Sequence, residues 1–195
     1  MLNKKLKDFK LILASQSPRR QELVKHLDIP FEVVIKEDVE EVYPLDLKPH
    51  DVPVFLAELK AKPYEDDINN YPWILVTADT IVLCENEILG KPTDKADAIR
   101  MLQMLSGKSH EVITGVCLSS NTRKHTFSVS TKVFFKQLTE EEITYYIDTY
   151  KPYDKAGAYG IQEWIGMVGI EKIEGSYFNV VGLPVQALYN ELLKF

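Results

Sequence analysis

The stretch WILVTADTIVLC, residues 73–84, constrains this sequence more than any other feature. Its β-branched and aliphatic residues predict two strand-forming runs that are joined through Asp79. Burying an ionised carboxylate among such neighbours costs several kcal/mol unless the carboxylate is paired or bound to a metal ion. Two interpretations fit this pattern. Asp79 either accepts hydrogen bonds from local amides in a β-bulge or turn, or it binds a divalent cation such as Mg²⁺, which prefers hard oxygen ligands.

Other strand and helix patterns alternate irregularly on both sides of this stretch. Further strands are predicted at 10–14, 29–37, 110–120 and 125–138, and helices at 18–27, 52–62, 93–107, 140–150 and 184–195. Because hairpins join some of the strands, this order favours an α/β fold with a mixed twisted sheet and flanking helices over a strict parallel repeat. The length of 195 residues suits a single domain over 1–195, and the loop at 151–154 is the candidate division between two lobes.

Capping signals mark the starts of three of the predicted helices. Ser17 can cap a helix that begins at Pro18, a residue favoured in the first helical position. Asp51 can cap the helix that follows it. Thr139 and Glu142 have the spacing of a capping box, in which each side chain bonds the backbone amide of the other residue.

Composition excludes several classes of protein. A net charge of −6 argues against a general nucleic-acid binder, and no stretch approaches the roughly 18 apolar residues of a membrane span. Two cysteines without a paired spacing predict neither a disulfide nor a metal framework, which favours a cytoplasmic protein. The histidines are predicted at surface or loop positions without a shared role: His26, His50, His110 and His125.

The segment SQSPRR combines a helix start with small hydroxyl side chains and two cations. The amides of a helix N-terminus attract anions, Ser15 can add a hydroxyl donor, and an arginine can bind phosphate oxygens with two parallel hydrogen bonds. The structural alternative is a capped surface helix that carries Arg19 and Arg20 as solvated charges. Because basic residues in a first helical turn oppose the helix dipole, we expect a compensating anion there.

Four more residues suit chemistry of the same kind. Lys91 lies in a Gly-Lys-Pro turn, where it can present a point charge to a phosphate. Gln162 ends the segment DKAGAYGIQ and has the donor and acceptor needed to read the edge of a planar base. Their structural alternatives are an exposed turn lysine and a glycine-rich turn that enters a strand. Lys60 in FLAELKAK and Glu41 in VEEV offer two further charges, and their structural alternatives are an exposed helical residue and a solvated loop residue.

Seven motifs follow one another along the chain in this order: LILASQSPRR, LAELKA, VTADTIV, GKP, LSGKSHEVITGV, DKAGAYGIQ and GSYFNVVGLP. With these motifs the sequence closely resembles the Maf family, whose members are nucleoside triphosphate pyrophosphatases. The resemblance runs from residue 11 to residue 184. It implies an elongated α/β fold of the Maf/ITPase type, with two lobes around a central cleft, and commonly a homodimer.

The resemblance also implies site residues, which lie in these motifs except for Glu41 of the acidic loop. Implied substrate-binding residues are Ser15, Arg19, Arg20, Thr80 and Gln162, and implied catalytic residues are Glu41, Lys60, Asp79 and Lys91. Glu41 and Asp79 are also the implied ligands of a divalent cation, Mg²⁺ or Mn²⁺. The combination of Arg20, Thr80 and Gln162 resembles the subgroup that acts on dTTP and UTP. The chain departs from many members directly after Gln162, where it has EWIG instead of an immediate glycine.

The implied reaction is attack of water on the α-phosphorus, which releases a nucleoside monophosphate and pyrophosphate. The cations would offset the charge of the triphosphate, and Asp79 would take the proton of the water. Gln162 would select thymine and uracil, because an amide can donate to O4 and accept from N3–H, a pattern that cytosine reverses. Two other functions are compatible with the motifs: a nucleotide-binding regulator of septum formation without relevant turnover, and a pyrophosphatase acting on ITP or XTP.

Overall fold

The computed structural model describes residues 2–36 and 39–195. Glu37 and Asp38, at the junction between a predicted strand and the predicted loop after it, lie outside the described residues. The α-helices found in the described residues are α1 (Leu2–Lys5), α2 (Pro18–Lys25), α3 (Val52–Ala61), α4 (Glu65–Asn70), α5 (Lys95–Leu105), α6 (Glu140–Tyr150), α7 (Trp164–Gly169), α8 (Tyr177–Val181) and α9 (Val185–Lys194). The strands are β1 (Lys10–Leu13), β2 (Phe31–Val33), β3 (Trp73–Cys84), β4 (Glu87–Leu89), β5 (Ser109–Ser119), β6 (Lys124–Phe135) and β7 (Ile170–Glu174).

The strands hydrogen-bond in the order β2-β1-β3-β5-β6-β7, and β4 pairs with β3. β1 is parallel to both β2 and β3, whereas the β3–β4 and β6–β7 pairs are antiparallel. This mixture confirms the predicted α/β fold with a mixed sheet and flanking helices. The two strand-forming runs predicted around Asp79 are one strand of 12 residues, so the chain does not turn at Asp79.

Two of the three predicted helix caps are present. The side chain of Ser17 accepts a hydrogen bond from the amide three residues later, and Pro18 is the first residue of α2. The capping box of α6 is complete: Thr139 Oγ1 accepts from the Glu142 amide at 3.1 Å, and Glu142 Oε2 accepts from the Thr139 amide at 2.9 Å. The predicted cap at Asp51 is wrong, because a short 3-10 turn leads directly into α3 and gives this residue a helical backbone.

The chain divides into two compact units. The first holds the described residues of Met1–Asp79, Thr114–Val129 and Gly182–Phe195, and the second holds Thr80–Ile113 and Ser130–Val181. The loop at 151–154 lies inside the second unit, so the suggestion that it divides two lobes is wrong. The boundaries instead fall within β3, β5 and β6, and between α8 and α9, which local sequence patterns do not mark.

The core of the first unit lies where α3 and α4 pack on the strands. It includes Ile12, Ala57, Ala61, Tyr64, Ile68, Leu75 and Cys117, all buried. Gly115 in β5 permits the close approach of α3, because a Cβ at this position would lie 2.3 Å from the backbone of Pro53 and Val54. Any larger residue would therefore push α3 away from the strand.

The second unit contains a buried aromatic cluster around His110. The side chain of His110 is 3% exposed, and its Nε2 lies 2.7 Å from the hydroxyl of Tyr159. Tyr159 also packs edge-on against Phe135. Burial lowers the pKa of His110 to about 3, so the ring is neutral at ordinary pH. The prediction that His110 lies at the surface is therefore wrong.

Two further properties of the described residues are the state of the cysteines and the character of the helices. Cys84 and Cys117 are both buried free thiols. In residues 2–36 and 39–195, no helix combines the length and apolar character needed to cross a membrane.

Candidate active site

Two carboxylates of the first unit converge on one lysine. Lys60 Nζ lies 2.5 Å from Asp79 Oδ1 and 3.0 Å from Glu41 Oε1. Lys60 comes from the last turn of α3, Asp79 from the middle of β3, and Glu41 from the segment between β2 and α3. The structure thus brings together three residues that the family resemblance implied. It also gives the buried Asp79 the partner that a carboxylate in such surroundings requires.

Arg20 adds a second cation beside Asp79. Its Nη1 donates to the carbonyl oxygen of Ala78 at 2.7 Å, and its Nε donates to that of Gly182 at 2.8 Å. The guanidinium therefore holds the backbone of the residue before Asp79. Burial lowers the pKa of Arg20, while the charge of Asp79 opposes that change and indicates that the two groups interact. The SQSPRR segment and Asp79 are therefore neighbours in the first unit.

The electrostatics of Asp79 combine burial with two nearby cations. The residue is 7% exposed, and burial raises the pKa of its carboxyl above the ordinary value. The charges of Lys60 and Arg20 favour the ionised form and oppose this shift. A carboxylate that holds a proton more readily than an exposed one, yet is stabilised by adjacent cations, has the properties of a general base.

Ser15 and Arg19 belong to the same segment as Arg20. Ser15 is 8% exposed, and its Oγ accepts a hydrogen bond from the Ser17 amide at 3.3 Å, so it shapes the turn between β1 and α2. Arg19 is partly exposed, and its charge is close enough to contribute to the lowered pKa of Arg20. The start of α2 is therefore a positively charged edge near Asp79.

A hydrogen bond that sequence reasoning missed aligns α3 with β3. The hydroxyl of Thr77 donates to the carbonyl oxygen of Ala57 at 2.6 Å, and both residues are fully buried. Thr77 precedes Asp79 by two residues, and Ala57 precedes Lys60 by three. The bond thus sets the register in which the lysine and the aspartate meet.

Three of the implied site residues lie in the second unit. Thr80 follows Asp79 in β3 and is partly buried, and Lys91 is exposed in the turn after β4. The carbonyl oxygen of Gly90, next to Lys91, accepts a hydrogen bond from the Gly157 amide at 3.0 Å. Gly157 has a left-handed backbone (φ +69°), which favours glycine. The GKP and DKAGAYGIQ motifs are thus neighbours in space.

Gln162 is exposed at the end of the DKAGAYGIQ motif. It lies on the wall of a surface depression of about 400 Å³, whose apolar lining includes the exposed side chains of Met167 and Tyr177. An amide next to apolar and aromatic surface suits a planar ligand with polar edges. The motif does not enter a strand, because α7 follows it directly.

Sequence reasoning did not assign a partner to Glu163, which follows Gln162. Its carboxylate pairs with Lys155 Nζ at 2.9 Å and accepts a hydrogen bond from the hydroxyl of Tyr146. The signal available in the sequence was the departure from the family pattern at EWIG. Among residues 2–36 and 39–195, no group of three or more histidine, cysteine or acidic side chains is arranged to hold a metal ion.

Comparison with known proteins gives matches to a single family. The model of the Maf family, described as "Maf-like protein", matches residues 10–195. A protein of Porphyromonas gingivalis named dTTP/UTP pyrophosphatase is 51% identical over 97% of this chain and 96% of its own length. A protein of the same name from Flavobacterium johnsoniae is 53% identical over 98% of this chain and 98% of its own length. Another from Bacteroides fragilis is 53% identical over 94% of this chain and 95% of its own length.

Solved structures with much lower identity share the fold. The Ham1 protein of Staphylococcus aureus is 15% identical, with a TM-score of 0.52 over 93% of this chain and 99% of its own. A HAM1 protein from Coxiella burnetii has the same identity and TM-score over 96% of this chain and all of its own. At this identity the likeness concerns the arrangement of helices and strands alone.

Proposed function

Because the chain belongs to the Maf family, we propose that it is a nucleoside triphosphate pyrophosphatase that converts dTTP and UTP to the monophosphate and pyrophosphate. The names of its relatives support this substrate pair. The observation that carries the proposal is the meeting of Asp79 and Glu41 at Lys60, with Arg20 bound to the residue before Asp79. A buried base flanked by cations suits hydrolysis of a polyanion.

Asp79 and Glu41 are the residues proposed to hold a divalent cation, Mg²⁺ or Mn²⁺. The fit rests on their separation: one ammonium group contacts both carboxylates, so both are close enough to share a cation. Two carboxylates are a sufficient protein contribution for Mg²⁺, which takes its other ligands from water and substrate phosphates. When bound, the ion would polarise the α-phosphoryl group and lower the pKa of water.

The chain's own residues would then perform the proton transfer. Asp79 accepts a proton from the attacking water, whose oxygen forms a bond to the α-phosphorus while the bond to the bridging oxygen of pyrophosphate breaks. The raised pKa of Asp79 favours this acceptance, because burial disfavours its ionised form. The charges of Lys60 and Arg20 favour the ionised carboxylate, Lys60 bonds it directly, and Arg20 holds the backbone of Ala78 beside it.

The other implied residues would bind the substrate. Ser15, Arg19 and Lys91 supply a hydroxyl and two cations for the phosphate groups, which offsets the charge of the leaving pyrophosphate. Thr80 and Gln162 supply the contacts to the pyrimidine. The exposure of Gln162 supports this role, because its amide is accessible to a base.

We also propose that the protein is a cytoplasmic homodimer. The family resemblance implies the dimer, and two free thiols suit a reducing compartment. Light scattering after size exclusion should give twice the chain mass of 22.4 kDa, and a mass equal to one chain would refute the dimer.

Phosphate release measured with and without added inorganic pyrophosphatase tests the proposed reaction. With dTTP or UTP and Mg²⁺ or Mn²⁺, phosphate should appear only when the coupling enzyme is present. Direct phosphate release would indicate stepwise removal of phosphate instead. Tight binding of dTTP without turnover would favour a nucleotide-binding regulator, and faster turnover of ITP or XTP would favour a purine substrate.

A further inference from the structure

The carboxylate of Glu163 is turned towards the interior of the second unit, although it neighbours the exposed Gln162. Its ion-pair partner Lys155 has a side chain only 11% exposed, and Glu163 itself is 24% exposed. Glu163 is the N-cap residue of α7, yet its side chain makes no capping bond to that helix. The side chain therefore serves contacts outside its own helix.

Tyr146 connects the Glu163 carboxylate to the backbone of the turn. Its hydroxyl donates to Glu163 Oε2 and accepts from the Gly160 amide at 3.0 Å. The Glu163 amide in turn donates to the carbonyl oxygen of Gly160 at 3.0 Å. The single hydroxyl uses its one proton and a lone pair in this network. Both ends of the turn 160–163, which carries Gln162, are thus bonded to α6 and to each other.

Close packing also restricts the turn 160–163 to one backbone conformation. A Cβ at Gly160 would lie 3.0 Å from Glu163 Cδ and 3.0 Å from Lys155 Cε. Lys155 pairs with Asp154 as well, at 2.7 Å, so the cation is held on both sides. Burial and the nearby Glu163 raise the pKa of Tyr146, which keeps the hydroxyl protonated as a donor. A partly buried, mutually satisfied network of this kind holds one backbone conformation.

We propose that Glu163, through Tyr146 and Lys155, is a positioning residue that sets the direction of Gln162 and thereby the selection of 4-oxo pyrimidines over 4-amino pyrimidines. The inference rests on the proposed function, because it assumes that Gln162 reads the base. Glu163 occupies the inner side of the turn and leaves the neighbouring amide on the exposed side. A shift of the turn would misalign the amide with O4 and N3–H.

The test compares kcat and KM for dTTP and dCTP in wild-type protein and in the variants Glu163→Gln and Tyr146→Phe. Each substitution removes one part of the network and little volume. The ratio of kcat/KM for dTTP to that for dCTP should fall about tenfold in both variants, mainly through KM, as expected for the loss of one oriented hydrogen bond. The matched control is Glu85→Gln, which removes the same charge from an exposed pair with Lys108 and should leave the ratio unchanged.

A double-mutant cycle with Gln162→Ala separates positioning from general damage. If Glu163 acts through Gln162, then Glu163→Gln should cause no further loss of discrimination in the Gln162→Ala background. A structural defect alone would lower turnover of both nucleotides equally and leave their ratio intact. If Glu163→Gln does not fold, as circular dichroism would reveal, Tyr146→Phe decides the result.

The outcomes distinguish this inference from the function on which it rests. Failure of wild-type protein to hydrolyse dTTP or UTP would refute the proposed function and the inference together. Wild-type turnover with an unchanged dTTP-to-dCTP ratio in the variants would overturn the inference and leave the function standing. An additive loss in the double mutant would also overturn it, because Glu163 would then act independently of Gln162.

Discussion

Replacing Asp79 with asparagine separates its contribution to turnover from its cost to the fold. Asparagine keeps a side-chain oxygen for Lys60, which also retains its ion pair with Glu41. Because burial raises the pKa of Asp79, the ionised carboxylate is unfavourable in the folded protein. Each tenfold change in proton affinity corresponds to about 1.4 kcal/mol. We therefore expect Asp79→Asn to be at least as stable as wild-type protein at neutral pH, although it lacks the base.

The raised pKa of Asp79 also determines how the stability difference between Asp79→Asn and wild-type protein depends on pH. Below the pKa of the unfolded chain, Asp79 is protonated in both states and its ionisation costs nothing. As pH rises, the unfolded chain ionises first, and the full cost is present only above the higher pKa of the folded state. Urea unfolding between about pH 4 and pH 8 should show an advantage of Asp79→Asn that grows with pH.

Turnover should fall in Asp79→Asn, although its stability should not. Loss of a general base lowers kcat about 10³-fold, which corresponds to about 4 kcal/mol in the barrier. Pyrophosphate release from dTTP measures this effect, and Asp51→Asn is a matched control, because Asp51 is exposed and makes no capping bond. A rate within about tenfold of wild type would remove Asp79 from the mechanism. A loss of several kcal/mol in unfolding free energy at pH 7 would show that pairing with Lys60 outweighs burial.

Three further predictions concern base recognition, packing and acid stability. Gln162→Ala should reduce the preference for dTTP and UTP over dCTP, and unchanged relative kcat/KM values would exclude it from base recognition. Gly115→Ala should cost about 2–3 kcal/mol in unfolding free energy and slow turnover, because its Cβ would lie 2.3 Å from the Pro53 backbone. Gly90→Ala, whose Cβ meets no atom within 4 Å, is the control, and equal urea midpoints for the two variants would contradict this argument. Folding lowers the pKa of His110 from 6.5 to about 3. The stability that the buried neutral ring contributes is therefore complete above pH 6.5. Below pH 6.5 it declines as pH falls, by up to about 1.4 kcal/mol per pH unit. His110→Gln should remove this slope, and identical acid-unfolding profiles would exclude the effect.

Features that depend on neighbours along the chain were predictable from the sequence. The helix starts at Ser17 and Thr139 could be predicted because capping bonds join residues three positions apart. The interaction of Asp79 with Lys60 joins residues 19 positions apart, and only the family motifs indicated the two as members of one set. His110 was misplaced because its partner Tyr159 is 49 positions away, and nothing in its own segment indicates such a partner.

In both units, a polar side chain next to a candidate site residue turns inward and fixes the backbone. Thr77, two residues before Asp79, holds the carbonyl of a facing helix, and Glu163, directly after Gln162, holds Lys155 and Tyr146. Gln162, the proposed reader of the base, must keep its amide available, so it cannot also anchor its own segment. The neighbouring residue supplies that anchor, and it needs burial and a complete set of partners to do so. Substitution of such a neighbour should therefore alter turnover through geometry, even where it leaves every group that contacts the nucleotide intact.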